Sequence, residues 1–463
     1  MADLVESKAL SGFQDLLPDE ALAFARAVER VTAVFRRYGY VPIDTPCIYR
    51  YETLTGGRAG IDKQLFEWRK QEGAPGARTE GEHLALRFDL TVPLARYVAA
   101  NFGRLAFPFR RYDVGKVWRG ERPQRGRYRE FTQCDFDVVG TSAPAADLEV
   151  VLVVADLMEA LDAGPFVVRL NDRAILNGLL DALGLRGRGD EVLRTVDKLD
   201  RIGEEGVRDE LARPGAADTP GVGLGTGAAS EILAFVALSR AEGGDALLAR
   251  LADRFAGNPL ASQGVDRLRF VVQGAQRLRA PERFAVDLSI ARGLGYYTGT
   301  VFETTLTDVP GFGSVCSGGR YDDLASQYTK NRLPGVGGSV GLSRLLAALA
   351  GRAVNAAESP CPVLLATAPG VDPVAALGLA DALRRAGIGV EVYPQAAAGA
   401  DVAKIAKQMK FGDAAGKTLV VLLAPDEIAR HACVVKDLRV GTQEEVALAA
   451  VAAAVRARLG EAV

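Results

Sequence analysis

Apolar residues recur at helical spacing through residues 19–38, at Ala23, Phe24, Ala27, Val28, Val31 and Phe35, after Pro18 and before Gly39. That pattern predicts an amphipathic helix that starts at a proline and ends on a glycine. Residues 40–54 (YVPIDTPCIYRYETL) read as a short strand broken by Pro42 and Pro46. Prolines confine such a strand to a sheet edge or to its own end. Over 84–97 (LALRFDLTVPLARY), Arg87, Asp89 and Thr91 follow strand spacing before a helix opening near Thr91 and Pro93. Asp89 and Thr91 serve there either as caps of that helix or as groups aimed into a pocket.

Residues 112–140 (YDVGKVWRGERPQRGRYREFTQCDFDVVG) read as strand, basic turn and strand. Alternation sends Gln133, Asp135 and Asp137 to one side and Thr132, Cys134, Phe136 and Val138 to the other. The turn carries Arg119, Arg122, Arg125, Arg127 and Arg129 against Glu121 and Glu130. Alone, those arginines read as a solvated basic hairpin. Guanidinium forks suit phosphate groups, however, and a row of acids on the same hairpin points to a site for a phosphorylated ligand with an amine or basic ring.

A strand over 166–171 leads into a helix over 172–185. From 185 to 270 charged helical runs dominate, which predicts a helical insertion. Its glycine-rich link TPGVGLGTG, 219–227, matches neither the dinucleotide-binding nor the P-loop spacing and reads as a flexible turn. Strand patterning returns over 284–306, where Gly293 and Gly295 permit close backbone approach beside Arg292, Tyr296 and Tyr297. That is either a bulged strand or a holder for a small anionic ligand. GSVCSGGRYDDLA (313–325) is followed by LPGVGGSVGLSRLLAAL (333–349), a glycine-packed strand running into an apolar helix that carries Arg344. There a ligand could lie on bare backbone with a guanidinium at its end. Residues 350–361 read as a linker. Beyond it, strands over 363–368, 388–393, 418–424 and 432–438 alternate with helices over 372–386, 401–411 and 443–459, predicting a small, mainly parallel α/β sheet. Lys404, Lys407 and Lys410 on one of these helices read as a solvated face before an RNA patch.

At 463 residues the chain is long enough for two or three domains. A net charge of -2 gives no global field for nucleic acid, so any RNA contact must use local patches. Five cysteines without a CxxC pair, and two histidines, argue against a zinc site or disulfide framework. No apolar run reaches membrane-spanning length and the acidic N-terminus lacks an apolar leader, so a cytoplasmic protein with no membrane contact is expected.

WRGERPQRGRYREFTQCDFD, together with ARGLGYYTGTVFE and GVGGSVGLSR, resembles the histidyl-tRNA synthetases, which are class II aminoacyl-tRNA synthetases. The likeness spans nearly the whole chain. YVPIDTPCIY resembles the family's motif 1 dimer segment, 112–140 its motif 2 and GVGGSVGLSR its motif 3. ARGLGYYTG and SGGRYD resemble the two stretches peculiar to the histidine enzymes, and LRFDLTVPLARY is similar to the eukaryotic-type branch. The resemblance implies an α/β and α+β fold: an antiparallel-sheet catalytic domain with a helical insertion, plus a C-terminal α/β anticodon-binding domain. The implied bounds are 1–170 and 276–350 for the two catalytic parts, 171–275 for the strand, helix and insertion between them, 351–361 for the linker and 362–463 for the anticodon domain.

The implied activity is ATP-dependent activation of L-histidine and its transfer to tRNA(His) by a homodimer, with Mg2+ expected. The implied catalytic residues are Arg119, Arg292 and Arg344, which with Glu121 bind ATP. Asp89, Thr91 and Gln133 would hold the ammonium and carboxylate end of histidine. Asp137, Tyr296, Tyr297 and Tyr321 would surround its ring, and Arg122 and Gln124 would meet the tRNA acceptor end. No residue is assigned to a metal. Gly295, Ser343 and Tyr49 stand where the family pattern usually has an acid. The alternative is a synthetase-like, histidine-sensing regulatory subunit that does not charge tRNA. Such paralogues lack the anticodon domain and usually lose the arginines that this chain keeps.

Overall fold

The computed structural model describes residues 6–56, 65–72, 79–215, 221–290, 297–350, 359, 361–393 and 405–460. The chain divides into two compact units, Met1–Asn355 and Ala356–Val463.

In the first unit, α1 (Pro18–Arg37) buries Ala27, Val31, Val34 and Phe35, one stripe of its surface. The Glu20 carboxylate accepts the Leu17 N–H at 2.9 Å ahead of its first turn, and Gly39 takes the left-handed conformation just past its end, φ 76°. The prolines then act as expected: β1 (Val41–Pro42) is an edge strand, and the chain resumes at β2 (Ile48–Arg50) and α2 (Tyr51–Thr55). β3 (Glu67–Glu72) and β4 (Thr79–Leu86) complete a three-stranded sheet in the order β2-β4-β3. α3 (Thr91–Ala100) follows. β5 (Phe109–Trp118) and β6 (Glu130–Val139) are the predicted hairpin, and α4 (Pro144–Ala160) leads to β7 (Phe166–Asp172) and α5 (Arg173–Ala182).

The helical segment comprises α6 (Gly189–Val196), α7 (Leu199–Ala212), α8 (Thr226–Ala241), α9 (Gly244–Arg254) and α10 (Pro259–Leu278). The expected boundary at 275 falls inside α10, which packs on α4 and α5 and so belongs to the main core. The glycine-rich link is less free than its composition suggests. Val222 and Leu224 are buried, and the N–H groups of 222–224 donate to the carbonyls of Glu210, Arg213 and Leu211.

β8 (Phe284–Val286), β9 (Thr300–Leu306), β10 (Ser314–Tyr321), β11 (Gly335–Gly341) and α11 (Leu342–Ala348) close the unit. The eight-stranded sheet runs β1-β5-β6-β11-β10-β9-β7-β8, antiparallel except for the parallel pairs at its two edges. One face is apolar: Cys134, Phe136, Val138, Phe302, Val336 and Val340 join the core with α1, α4 and α10. Phe35 stacks 5.3 Å from Tyr112 and lies 5.2 Å from Phe136. Each such ring buried contributes on the order of 1.5–3 kcal/mol, which fixes the register and leaves the opposite face free for polar groups.

The C-terminal unit contains β12 (Val363–Thr367), α12 (Pro373–Arg385), β13 (Val390–Val392), α13 (Ile405–Ala414), β14 (Leu419–Leu423), α14 (Pro425–Ala429), β15 (Ala432–Asp437), β16 (Gln443–Ala447) and α15 (Val451–Leu459). Its sheet, β13-β12-β14-β15-β16, has two parallel pairs and then two antiparallel ones, so it is mixed and not mainly parallel. The helix expected over 443–459 begins as a strand. A turn with Gly441 at φ 75° folds 443–447 back on β15, where Glu445 meets Arg430 at 2.9 Å.

Candidate active site

The β5–β6 hairpin places the chemistry. In antiparallel register, Arg111 stands opposite Asp137, Asp113 opposite Asp135 and Gly115 opposite Gln133. β11 continues these rows with Gly337, Ser339 and Gly341. All of these lie on the face away from the apolar core. Arg111 is fully buried and its guanidinium meets Asp137 Oδ2 at 2.6 Å. The Tyr321 hydroxyl donates to the other oxygen, Oδ1, at 2.6 Å. Gln133 Nε2 donates to Ser339 Oγ at 2.7 Å.

The glycines of β11 do not leave backbone bare, as their sequence had suggested. A Cβ on Gly337 would lie 2.0 Å from Asp137 Oδ1, and one on Gly335 would lie 2.4 Å from the Tyr321 ring. They make room for the protein's own pocket walls. Tyr297 stands beside Gly319, where an added Cβ would come 3.0 Å from its ring.

Asp89 is buried and Oδ1 accepts the Val92 N–H at 3.1 Å, so the cap at the start of α3 is real. Its charge also reaches Asp135, so cap and pocket wall are one residue. Thr91 opens α3. Behind them Arg87 donates to the carbonyls of Thr45 and Lys116 at 2.6 and 2.9 Å, and the Thr45 hydroxyl meets Asp113 Oδ2 at 3.2 Å.

Above the floor, Arg119 is held by the Phe88 carbonyl at 3.1 Å and by the Phe131 ring at 5.2 Å. Glu121 lies 3.7 Å from Arg127. Arg122 and Gln124 are exposed at the hairpin tip, where Gln124 and Arg127 exchange backbone hydrogen bonds. Arg344 reaches the Phe312 carbonyl, and Arg125 lies 5.5 Å over the Phe312 ring, so one aromatic ties the tip to the α11 arginine. Ser343 Oγ accepts the Thr132 N–H at 3.0 Å, bracing α11 against β6. Tyr49 is buried beneath Arg96. Arg292, Gly295 and Tyr296 lie outside the described residues.

Sequence reasoning missed Arg111 and Phe312, and named Arg87 without giving it a role. Arg111 left one signal: a charged residue at an inward position of a strand whose next inward residue is Asp113. Burial pushes the Asp135 carboxyl up to about 8 against the pull of Arg111. Burial also raises Asp137, with Arg111 and Tyr321 opposing it, and lifts the Tyr321 hydroxyl well above its usual range.

A family model described as histidyl-tRNA synthetase matches residues 12–345. The chain belongs to the histidyl-tRNA synthetase family. It is 42% identical to the histidine–tRNA ligase of Rhodopirellula baltica across 96% of each chain, and 38% identical to that of Wolinella succinogenes across 95% of this chain and 96% of the other. The histidyl-tRNA synthetase structure from Nostoc sp. PCC 7120 superposes with a TM-score of 0.82 at 32% identity, covering 98% of this chain and all of that one. The synthetase fold expected from the motifs, an antiparallel catalytic sheet with a separate C-terminal sheet unit, is the fold found.

Proposed function

We propose that this chain is a histidine–tRNA ligase that joins L-histidine to AMP and then to the 3′ end of tRNA(His). The observation that carries the reading is the polar floor of the catalytic sheet, Gln133, Asp135 and Asp137 with Tyr321 and Arg111, in a member of this family. Asp137 keeps acceptor capacity beyond its contacts to Arg111 and Tyr321, enough for an imidazole N–H. Tyr296 and Tyr297 border the ring, while Asp89, Thr91 and Gln133 take the ammonium and carboxylate end.

The histidine carboxylate attacks the α-phosphorus of ATP in line, so no protein nucleophile is needed and catalysis is positioning plus charge stabilisation. Arg119 and Arg292 grip the α-phosphate, Glu121 the adenine end and Arg344 the outer phosphates. The tRNA hydroxyl then attacks the adenylate carbonyl. Among the described residues no three acidic, cysteine or histidine side chains cluster as a metal site. Magnesium bound with ATP would help to neutralise the phosphate charge, and no step here passes through it.

Arg122 and Gln124 receive the acceptor end, and the C-terminal unit reads the anticodon. The exposed Val41 on the edge strand β1 and the exposed Ile48 on β2 support a homodimer. No helix among the described residues is long and apolar enough to cross a membrane. The regulatory alternative is not favoured, because the likeness to named ligases runs through the C-terminal unit as well. Histidine-dependent exchange of pyrophosphate into ATP, followed by tRNA(His) charging, tests the reading. Exchange with another amino acid in place of histidine overturns it.

A further inference from the structure

Asp135 holds no role in the expected set, yet it occupies the middle of the floor. β6 sets it between Gln133 and Asp137, and register sets it opposite Asp113 on β5 and Ser339 on β11. It is 1% exposed, and its Oδ1 has no hydrogen-bond partner among the described residues. Gln133 Oε1, on the same face, is equally unpartnered. A polar atom buried this completely without a partner is costly unless a ligand or water completes it.

The charges around Asp135 are unbalanced. Asp113 on β5, Asp137 on β6 and Asp89 ahead of α3 all face this region, and the Cys134 and Cys316 thiols lie behind it. Glu303 stands farther along the same row, past Ser339 and Ser317. The guanidinium that faces Asp135 is that of Arg111, whose 2.6 Å contact goes to Asp137 instead, and Arg87 acts on Asp113. Four buried carboxylates, Asp89, Asp113, Asp135 and Asp137, against the two buried guanidiniums of Arg87 and Arg111 carry surplus negative charge, which either a proton or an incoming cation must neutralise. The amino acid brings such a cation.

We propose that Asp135 is a third acid of the amino-acid pocket, facing the substrate's α-ammonium group together with Asp89, and that its proton is displaced to solvent as that cation enters. The proposal rests on the reading of this face as the histidine site. In the empty pocket the carboxyl is protonated, consistent with burial raising it to about 8. On binding, its O–H bond breaks, the electron pair stays on oxygen and the ammonium N–H groups meet the resulting carboxylate. Oδ1 then gains the partner it lacks. Gln133 Nε2 donates to Ser339 Oγ, and the Ser339 hydroxyl in turn hydrogen-bonds the Asp135 carboxyl, partly opposing the rise that burial causes.

The test is calorimetric titration of the full chain with L-histidine between pH 6.5 and 8.5, for the wild type and Asp135→Asn. Wild-type affinity should rise about tenfold from pH 6.5 to 7.5 and level off above 8, because binding needs the ionised carboxylate. Asp135→Asn should bind more weakly at pH 8 and vary little with pH. The ligand's own protons are the same in both titrations and cancel. Equal slopes in the two proteins overturn the proposal while leaving the histidine site intact. Failure of the wild type to bind L-histidine at any pH overturns the site reading as well.

A second measurement needs no variant. In two buffers of different protonation heat at pH 7.5, the wild type should release about three-quarters of a proton per histidine bound. With the deaminated hydroxy analogue, imidazole lactate, which lacks the ammonium, it should release none. Equal release with both ligands contradicts the assignment.

Discussion

The Tyr321 hydroxyl on β10 donates to Asp137 on β6 at 2.6 Å, across an intervening strand, β11. The two side chains meet only because β11 presents Gly335 and Gly337 between them, where any Cβ would strike the ring or the carboxylate. The glycines of motif 3 thus shape the pocket from below.

Gly337→Ala should therefore push Asp137 out of position. Forced overpacking of this kind costs roughly 1–3 kcal/mol. Histidine affinity should fall with it, while ATP affinity holds. Denaturant unfolding and separate titrations with histidine and ATP check this, and unchanged histidine binding in the folded variant would contradict it.

Asp137→Ala should cost more in stability than a lost ligand contact suggests. It leaves the fully buried Arg111 without its 2.6 Å partner, and breaking a buried ion pair from one side costs about 3–5 kcal/mol. Tyr321→Phe removes one buried hydrogen bond and should cost nearer 1 kcal/mol while still weakening histidine binding. Urea midpoints should rank the wild type above Tyr321→Phe and both above Asp137→Ala.

Stability should decline as pH rises toward 8. Asp135 titrates near 4 in the unfolded chain and at about 8 when folded. Between those values the folded state holds a proton that the unfolded state has lost, so raising the pH favours unfolding. The wild type should lose more stability than Asp135→Asn between pH 6 and 8. Parallel curves would show that the group is not buried as a neutral acid.

The two units should separate the two half-reactions. Removing residues 359–463 should spare pyrophosphate exchange, since no proposed catalytic residue lies there, and should abolish most tRNA charging. Arg122→Ala should harm transfer with little effect on exchange, and the salt dependence of tRNA binding should flatten by about one phosphate contact. Intact charging by the truncated chain would reassign the C-terminal unit.

Periodicity made α1 and the β5–β6 hairpin legible, because one apolar face repeats at a fixed period in each. The acids of β6 could be placed on one side from alternation alone. Their partners could not: Arg111 and Tyr321 reach Asp137 through strand order and register, which depend on residues distant in the chain. The β16 segment was misread because QEEVA is polar, exposed and equally compatible with a helix start; pairing with β15 decides its form. The glycines of the link over 219–227 suggest a flexible turn, whereas in its described part, from 221 on, two apolar residues, Val222 and Leu224, anchor it.

The floor formed by Gln133, Asp135 and Asp137 should select histidine. Pyrophosphate exchange into ATP, run with each of the twenty amino acids in turn, tests it most directly. Exchange should depend on L-histidine and fall steeply in Arg292→Lys, which keeps the charge but loses the bidentate fork, while that variant binds histidine almost normally. Exchange supported equally by other amino acids, or an Arg292→Lys defect confined to histidine binding, would contradict the account.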